Sequence, residues 1–274
     1  MSTRALPAGG APATAPAPPS PLGGRRLPGL RVVATDRWED VDEALAVVHD
    51  GFVEAGYLEP QPSGRRMIAP YLNPGTVFFL ATVDGEPVGA LALIPDGPFG
   101  LPSDRSFREE LDLIRRSGTP IFEAGSLVVR GPWRRHTRAI VAALVGASMR
   151  VFRETPGAVA VISVEPRQES FYRSMLAAER VAEPRPLFGA PALLLASTYE
   201  GMVDVMLSPR TTGQRLLRDL VLGRDASWIV DRRDGAAWPD EEVAALLAEQ
   251  GCLARLLAQV RLLETTHPGL LRRV

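Results

Sequence analysis

Residues Val159 to Val164, Val-Ala-Val-Ile-Ser-Val, form an apolar run with no regular alternation of polar residues. A strand of that kind is buried on both faces. It requires a sheet with helices laid over each side. The neighbouring sequence fits this demand. Thr76 to Val83 is continuously apolar, Asp84-Gly85 is a strong turn signal, and Pro87 to Ile94 is apolar again, which predicts a hairpin. Leu30 to Ala34 is a further short strand. Helices are predicted between these strands. Asp36 with Glu39 resembles a capping box, followed by Val41, Leu45, Val48 and Phe52 on one face and Gly56 as a stop. A short helix is expected over Arg65 to Tyr71, a charged one from about Ser106 to Arg116, and one over Arg134 to Arg153 with Ile140, Val141, Leu144, Val145 and Phe152 inward. Another runs from about Gln168 to Ala177, and strands near Arg180 to Glu183 and Ala192 to Ala196 complete the pattern. The order β-α-α-β-β-α-β-α-β-α-β-β defines an α/β fold with a mixed sheet flanked by helices.

Both ends of the chain read differently. Residues Met1 to Gly29 are rich in Pro, Ala and Gly and have no periodicity, so they are expected to form a disordered leader. From residue 198 to 274 the pattern becomes helical, over Met202 to Leu207, Gln214 to Leu222 and Glu241 to Leu263, and reads as an appendage to a domain spanning 30–197. The 274 residues carry a net charge of −1, which gives no global case for nucleic-acid or membrane binding. All 31 basic residues are Arg, and abundant Ala, Gly and Pro accompany them, as a GC-rich genome would produce. The single cysteine, Cys252, rules out an internal disulfide framework. There is no apolar run of membrane-spanning length and no signal-peptide core at Met1, so a cytoplasmic protein is expected.

The chemistry concentrates at Ile121 to Val129, Ile-Phe-Glu-Ala-Gly-Ser-Leu-Val-Val, where Glu123 is the one carboxylate in a predicted strand. A basic segment follows, from Arg130 to Arg138, and leads into a helix. An acid in apolar surroundings has a raised pKa, which suits a base working near neutrality. A positively charged helix start suits an anion such as a phosphate. The same residues also admit a plainer reading, an acid paired with an Arg at a strand end and a solvated arginine-rich face.

Five segments, read together and in order, resemble the long-chain N-acyl amino acid synthases. This FeeM-like branch of the GNAT acyltransferases is related to the acyl-homoserine lactone synthases. The segments are His49-Asp-Gly-Phe-Val-Glu-Ala-Gly-Tyr-Leu58, Gly85-Glu-Pro-Val-Gly-Ala-Leu-Ala-Leu93, Asp96-Gly-Pro-Phe-Gly-Leu-Pro-Ser-Asp104, Glu123-Ala-Gly-Ser-Leu-Val-Val129 and Val164-Glu-Pro-Arg-Gln-Glu-Ser-Phe-Tyr172. They cover roughly Arg31 to Leu195. The resemblance implies a GNAT-like, mostly antiparallel sheet. It also implies transfer of a fatty acyl group from acyl carrier protein to the α-amine of an amino acid. The donor would be an acyl-phosphopantetheine thioester, on carrier protein or on CoA, with no permanently bound cofactor. An acyl-CoA or other-amine N-acyltransferase is the alternative, and a non-catalytic interaction protein on the same fold is a third.

The resemblance makes Glu123 the residue that binds or deprotonates the amine, and Tyr172 the one that protonates the leaving thiolate. Tyr172 reads equally as a core aromatic with its hydroxyl at the rim. Ser126, Leu127, Val128 and Val129 would hold the donor through backbone amides. Arg134, Arg135 and Arg138 would meet the single phosphate or the acidic carrier, in place of the Gly-rich pyrophosphate turn of acetyl-CoA enzymes. Acyl-homoserine lactone relatives carry an Arg where this chain has Ser126, which argues against adenosylmethionine as acceptor. Arg65 or Arg66 has the planar donor fork that grips a carboxylate. Tyr57, Met67 and Asp104 are further candidates to line the site, His49 reads as a rim hydrogen-bonder, and His136 and His267 have no ligand partners at metal spacing, so no metal is expected.

Overall fold

A computed structural model describes residues 27–221, 229–235 and 238–251. The expected leader up to residue 26, Cys252 and the expected helix beyond residue 251 lie outside the described residues. Eight strands form one sheet: β1 (Leu30–Thr35), β2 (Val77–Val83), β3 (Glu86–Pro95), β4 (Ile121–Val129), β5 (Val159–Val164), β6 (Glu179–Leu187), β7 (Ala190–Thr198) and β8 (Ile229–Arg233). Their order across the sheet is β6-β7-β5-β4-β3-β2-β1-β8. Only β4–β5 and β1–β8 run parallel; the remaining pairs are antiparallel. The sheet is therefore mixed and mostly antiparallel.

Two apolar cores lie on its two faces. The helices α3 (Thr137–Phe152), α5 (Tyr199–Leu207) and α6 (Thr212–Val221) cover one face through Ile140, Leu144, Phe152, Met202 and Leu220. The short α4 (Glu169–Leu176) closes the same face through Leu176. The opposite face is covered by α1 (Trp38–Glu54), α2 (Asp104–Arg116) and α7 (Asp240–Glu249) through Leu45, Val48, Phe107, Leu111 and Leu247. Burial on both faces is why the central strands read as continuous apolar runs.

Most elements match the sequence pattern, and the departures have local causes. The hairpin turn is built by Asp84 and Gly85, both at positive φ (50° and 88°), as a two-residue turn between twisted strands requires. The Asp36–Glu39 capping box does not form. Arg37 is the N-cap and provides no capping side chain, while the Asp36 carboxylate accepts the Gly235 N–H at 2.7 Å. The helix expected over Arg65 to Tyr71 is irregular chain followed by a 3-10 turn at Ala69–Leu72. Long-range bonds fix that path, with the Arg66 N–H donating to the Leu45 carbonyl at 3.2 Å and Arg65 reaching Asp42. The C-terminal region is not wholly helical, because β8 adds a strand beside β1. Its elements pack on the same sheet as the rest. Leu27, inside the expected leader, is buried in the core.

Candidate active site

The parallel pair β4–β5 is short. Ile121, Phe122 and Glu123 pair with Val159, Ala160 and Val161, and beyond that point the two strands part. On its other edge β4 carries a bulge. Ala90 pairs with Val128 and Ala92 with Gly125, so Ser126 and Leu127 together stand opposite Leu91. Ser126 sits at φ +55°, a left-handed conformation that costs a non-glycine residue about 1–3 kcal/mol. A wedge between strands next to a bulged, strained residue leaves backbone amides outside the ladder. Helix α1 is pressed against this region. A Cβ at Gly51 would fall 2.2 Å from Val128 Cγ1, so only glycine permits the approach.

Glu123 is 3% exposed at the point of the wedge, on the face covered by α1 and α2. Its two oxygens accept from the Ser103 N–H at 2.9 Å and the Ser103 hydroxyl at 2.8 Å. Burial pushes its pKa up to about 7, partly offset by those two hydrogen bonds and by the positive charge of Arg66, while Asp104 adds to the rise. The Ser103 hydroxyl also meets the hydroxyl of Ser163 on β5. Ser103 belongs to the loop between β3 and α2, and that loop is tightly held. Asn73 donates to the Pro95 and Gly100 carbonyls and accepts the Phe99 N–H. Arg115 bridges Asp96, Asp104 and Asp112, and Asp104 accepts the Leu101 N–H at 2.7 Å.

Arg66 lies on the same face. It is 4% exposed, with its guanidinium 4.3 Å from the Phe52 ring centroid and 5.2 Å from that of Phe188. It donates to the Tyr71 hydroxyl at 3.2 Å, which in turn bonds the Ser126 hydroxyl. Among the described residues no carboxylate forms an ion pair with Arg66, an unusual state for a buried cation. Arg65 points the other way. It makes a two-point pair with Asp42 at 2.8 and 2.7 Å on the outer side of α1. Of the two arginines singled out by sequence, Arg66 is therefore the one turned toward Glu123.

The other face of β4 borders a narrow apolar cleft with a cavity volume of about 40 Å³. Leu93, Ala124, Leu127, Met149, Ile162 and Tyr172 are among its walls. Burial raises the Tyr172 pKa to about 12, and among the described residues its hydroxyl has no hydrogen-bond partner. Leu127 faces this cleft, Val129 packs against the same core, and Val128 packs on α1. The other sequence candidates are held elsewhere in the packing. Met67 is core, the Tyr57 hydroxyl bonds Glu165, and His49 accepts the Gln61 N–H at 3.0 Å.

The arginine segment differs from the expected helix start. Gly131–His136 is a 3-10 turn, and α3 begins only at Thr137. Arg134 pairs with Glu54 at 2.9 Å and Arg130 with Asp50 at 3.0 Å, both acids at the end of α1. Arg135 donates to His136, and Arg138 is exposed in the first turn of α3. Two of the four charges are thus already offset. Sequence reasoning missed Ser103, Ser163, Tyr71 and Arg115, because isolated polar residues carry no periodic signal and their partners are distant in the chain.

The sheet is thus mixed, and its central parallel pair opens beside a buried acid. The family described as "N-acyl amino acid synthase FeeM" matches residues 43–198, more than half of the chain, and this protein belongs to that family. It is accordingly an N-acyltransferase. The structure of FeeM, an N-acyl amino acid synthase from uncultured soil microbes, superposes with a TM-score of 0.54 at 20% identity, covering 63% of this chain and 93% of that one. BjaI, a CoA-dependent acyl-homoserine lactone synthase solved with SAM and isopentyl-CoA, gives a TM-score of 0.51 at 17% identity, covering 80% of this chain and all (100%) of that one. At these identities the likeness is one of fold. No curated protein matches the chain. Among the described residues no helix is long and apolar enough to cross a membrane.

Proposed function

We propose that this protein joins a long-chain fatty acyl group, presented as a phosphopantetheine thioester on acyl carrier protein, to the α-amine of an amino acid. The observation that carries the reading is the buried Arg66, which forms no ion pair among the described residues, on the same face as Glu123, with an apolar cleft behind the same strand. The acyl chain lies in the cleft. The pantetheine arm lies in the wedge between β4 and β5, where the two faces communicate. Arg66 grips the amino acid's carboxylate, with Phe52 and Phe188 excluding water around the pair.

A thioester is already activated, so the enzyme needs no nucleophile of its own. The amine nitrogen attacks the carbonyl carbon, and the oxyanion is met by backbone amides freed at the Ser126–Leu127 bulge. Glu123 takes the proton the nitrogen gives up. The C–S bond then breaks, and the Tyr172 hydroxyl supplies a proton to the thiolate. A base titrating near 7 suits its task, and Tyr172, raised to about 12, is fully protonated at neutral pH. The carrier-protein donor is favoured over CoA by the turn after β4. Pro132 and Trp133 occupy the place of a glycine cradle, so a pyrophosphate has no nest there. Arg135 and Arg138 remain to meet an acidic carrier. Transfer from a carrier-borne donor implies a cytoplasmic setting.

The test is expression in a host with its own fatty-acid synthesis, followed by mass spectrometry of lipid extracts. N-acyl amino acids should accumulate with the wild type and not with Arg66→Gln. A product that is an acylated amine without a carboxylate would overturn the amino-acid reading. Purified enzyme that prefers acyl-CoA to acyl-carrier protein would overturn the donor assignment.

A further inference from the structure

Glu123 has little direct access to a substrate amine. It is 3% exposed, and each of its oxygens already accepts one hydrogen bond from Ser103. If it is the base, as proposed above, the proton reaches it more readily through an intermediary. The hydrogen bonds around Ser103 supply one and fix its direction. Ser103 is 0% exposed. Its backbone N–H holds one carboxylate oxygen at 2.9 Å, so its hydroxyl proton is committed to the other, at 2.8 Å. A serine hydroxyl has only one proton to donate. In the contact between Ser103 and Ser163, Ser163 must therefore be the donor while Glu123 is ionised. Both hydroxyl protons point down the chain toward the carboxylate. The Ser163 oxygen keeps a lone pair for an incoming N–H.

The register places Ser163 where that N–H would be. Val161 is the partner of Glu123 across β4–β5, and Ser163 lies two residues further along β5. Side chains two apart share a face. Ser163 is thus on the acceptor face with Glu123, just past the point where the strands separate, and it is half-buried rather than enclosed.

We propose that Ser163 is a catalytic residue that receives the amine proton and passes it through Ser103 to Glu123. The step balances. The N–H bond of the attacking nitrogen breaks as an O–H bond forms on Ser163. The original Ser163 proton moves to Ser103, and the original Ser103 proton moves to the facing carboxylate oxygen. The amide and a neutral carboxylic acid result, with each serine again neutral. After Tyr172 has protonated the thiolate and regained a proton from solvent, the chain runs backward to release the Glu123 proton to solvent.

An isosteric pair tests this, Ser163→Thr and Ser163→Val, which differ only in the hydroxyl. Each is compared with wild type and Glu123→Gln by steady-state kinetics and thermal unfolding. Ser163→Thr should keep kcat within about threefold, and Ser163→Val should lose about 10²-fold or more in kcat, with KM for the amino acid little changed. The dependence of kcat on the deuterium fraction of the solvent should be curved in wild type and in Ser163→Thr, as several moving protons require. Equal kcat in the Thr and Val variants, with Glu123→Gln inactive, would overturn the relay and leave Glu123 as base. A Val variant altered only in KM would make Ser163 a pocket wall and overturn the relay as well. An active Glu123→Gln would remove the base itself, a distinct failure. Should Ser163→Val unfold, Ser103→Gly, which keeps the backbone N–H to Glu123, must show the same loss of kcat or the relay is wrong.

Discussion

Replacing Glu123 by Gln should change two quantities in opposite directions. Activity should fall by roughly 10²–10⁴-fold, the range for a positioned acid–base group. Stability at alkaline pH should rise. Burial lifts the Glu123 carboxyl from the ordinary 4.5 to about 7. A tenfold change in proton affinity corresponds to about 1.4 kcal/mol, so ionising Glu123 in place costs the folded state on the order of 3 kcal/mol relative to the unfolded chain. For a carboxyl raised on folding, the stabilising contribution is complete below the unfolded value. It is lost as pH rises from about 4.5 through about 7. The Gln side chain has no charge to bury, and its amide group still bonds Ser103. Thermal unfolding of both proteins from pH 5.5 to 8.5 separates the effects. This window lies above the ordinary range of Glu110, Asp112, Glu169 and Glu249, whose pKa values are lowered by hydrogen bonds to Arg185, Arg115, Arg180 and Ser63 respectively. About 1.4 kcal/mol is already lost at pH 5.5 and about 2 kcal/mol more goes by pH 8.5, so the variant's lead over wild type should widen by roughly 4–8 °C across the window, taking about 2–4 °C per kcal/mol for a large domain. Parallel melting curves across the window would show that Glu123 is not held in a desolvated site, and the assignment of a base poised near neutrality would fall with that result.

Four further outcomes follow from the same geometry. Arg66→Gln should raise KM for the amino acid at least tenfold with little change for the donor, and Arg65→Gln, which only breaks an outer pair with Asp42, should leave it within about twofold; steady-state kinetics with each substrate varied checks both. Tyr172→Phe should keep the fold and lower kcat by about 10–10²-fold, most of all with poor thiol leaving groups; equal loss with an oxygen ester and a thioester would count against the assigned role. Cys252→Ala should retain full activity, as direct transfer needs no thiol, and trapping an acylated Cys252 that discharges onto an amine would contradict this. Arg135→Glu with Arg138→Glu should raise KM for acyl-carrier protein and flatten its salt dependence, while acyl-pantetheine kinetics stay unchanged; unaltered carrier kinetics would exclude docking at this turn.

What the sequence could reveal depended on whether a residue's role is local. Val159–Val164 advertises its burial by composition alone, and Asp84-Gly85 dictates its own turn. Glu123 stood out because one acid interrupts an apolar strand, and the structure buries it. β8 did not stand out. Five residues with two apolar ones carry too little pattern, and its place beside β1 is fixed by contacts some two hundred positions away, such as Gly235 with Asp36.

The pair Arg65-Arg66 shows the same limit at the site. Read as part of a helix, adjacent arginines lie on neighbouring surfaces, and neither is marked as inward. Outside a helix, neighbours are free to face opposite ways. Here one pairs with Asp42 and the other enters the core between Phe52 and Phe188. The conformation of that segment is set by α1, through the Leu45 carbonyl, and by the Ser63 N–H held on Glu249 of α7 at 2.9 Å. The segment that carries Arg66, the charge proposed to bind the acceptor, is thus held partly by a helix that lies beyond the family-matched residues 43–198. If that orientation matters, Glu249→Ala should weaken amino-acid binding without touching any substrate, whereas the acyl donor, proposed to lie on the opposite face of β4, should bind as before. A rise in both KM values would mean that α7 supports the fold generally and not the arginine in particular.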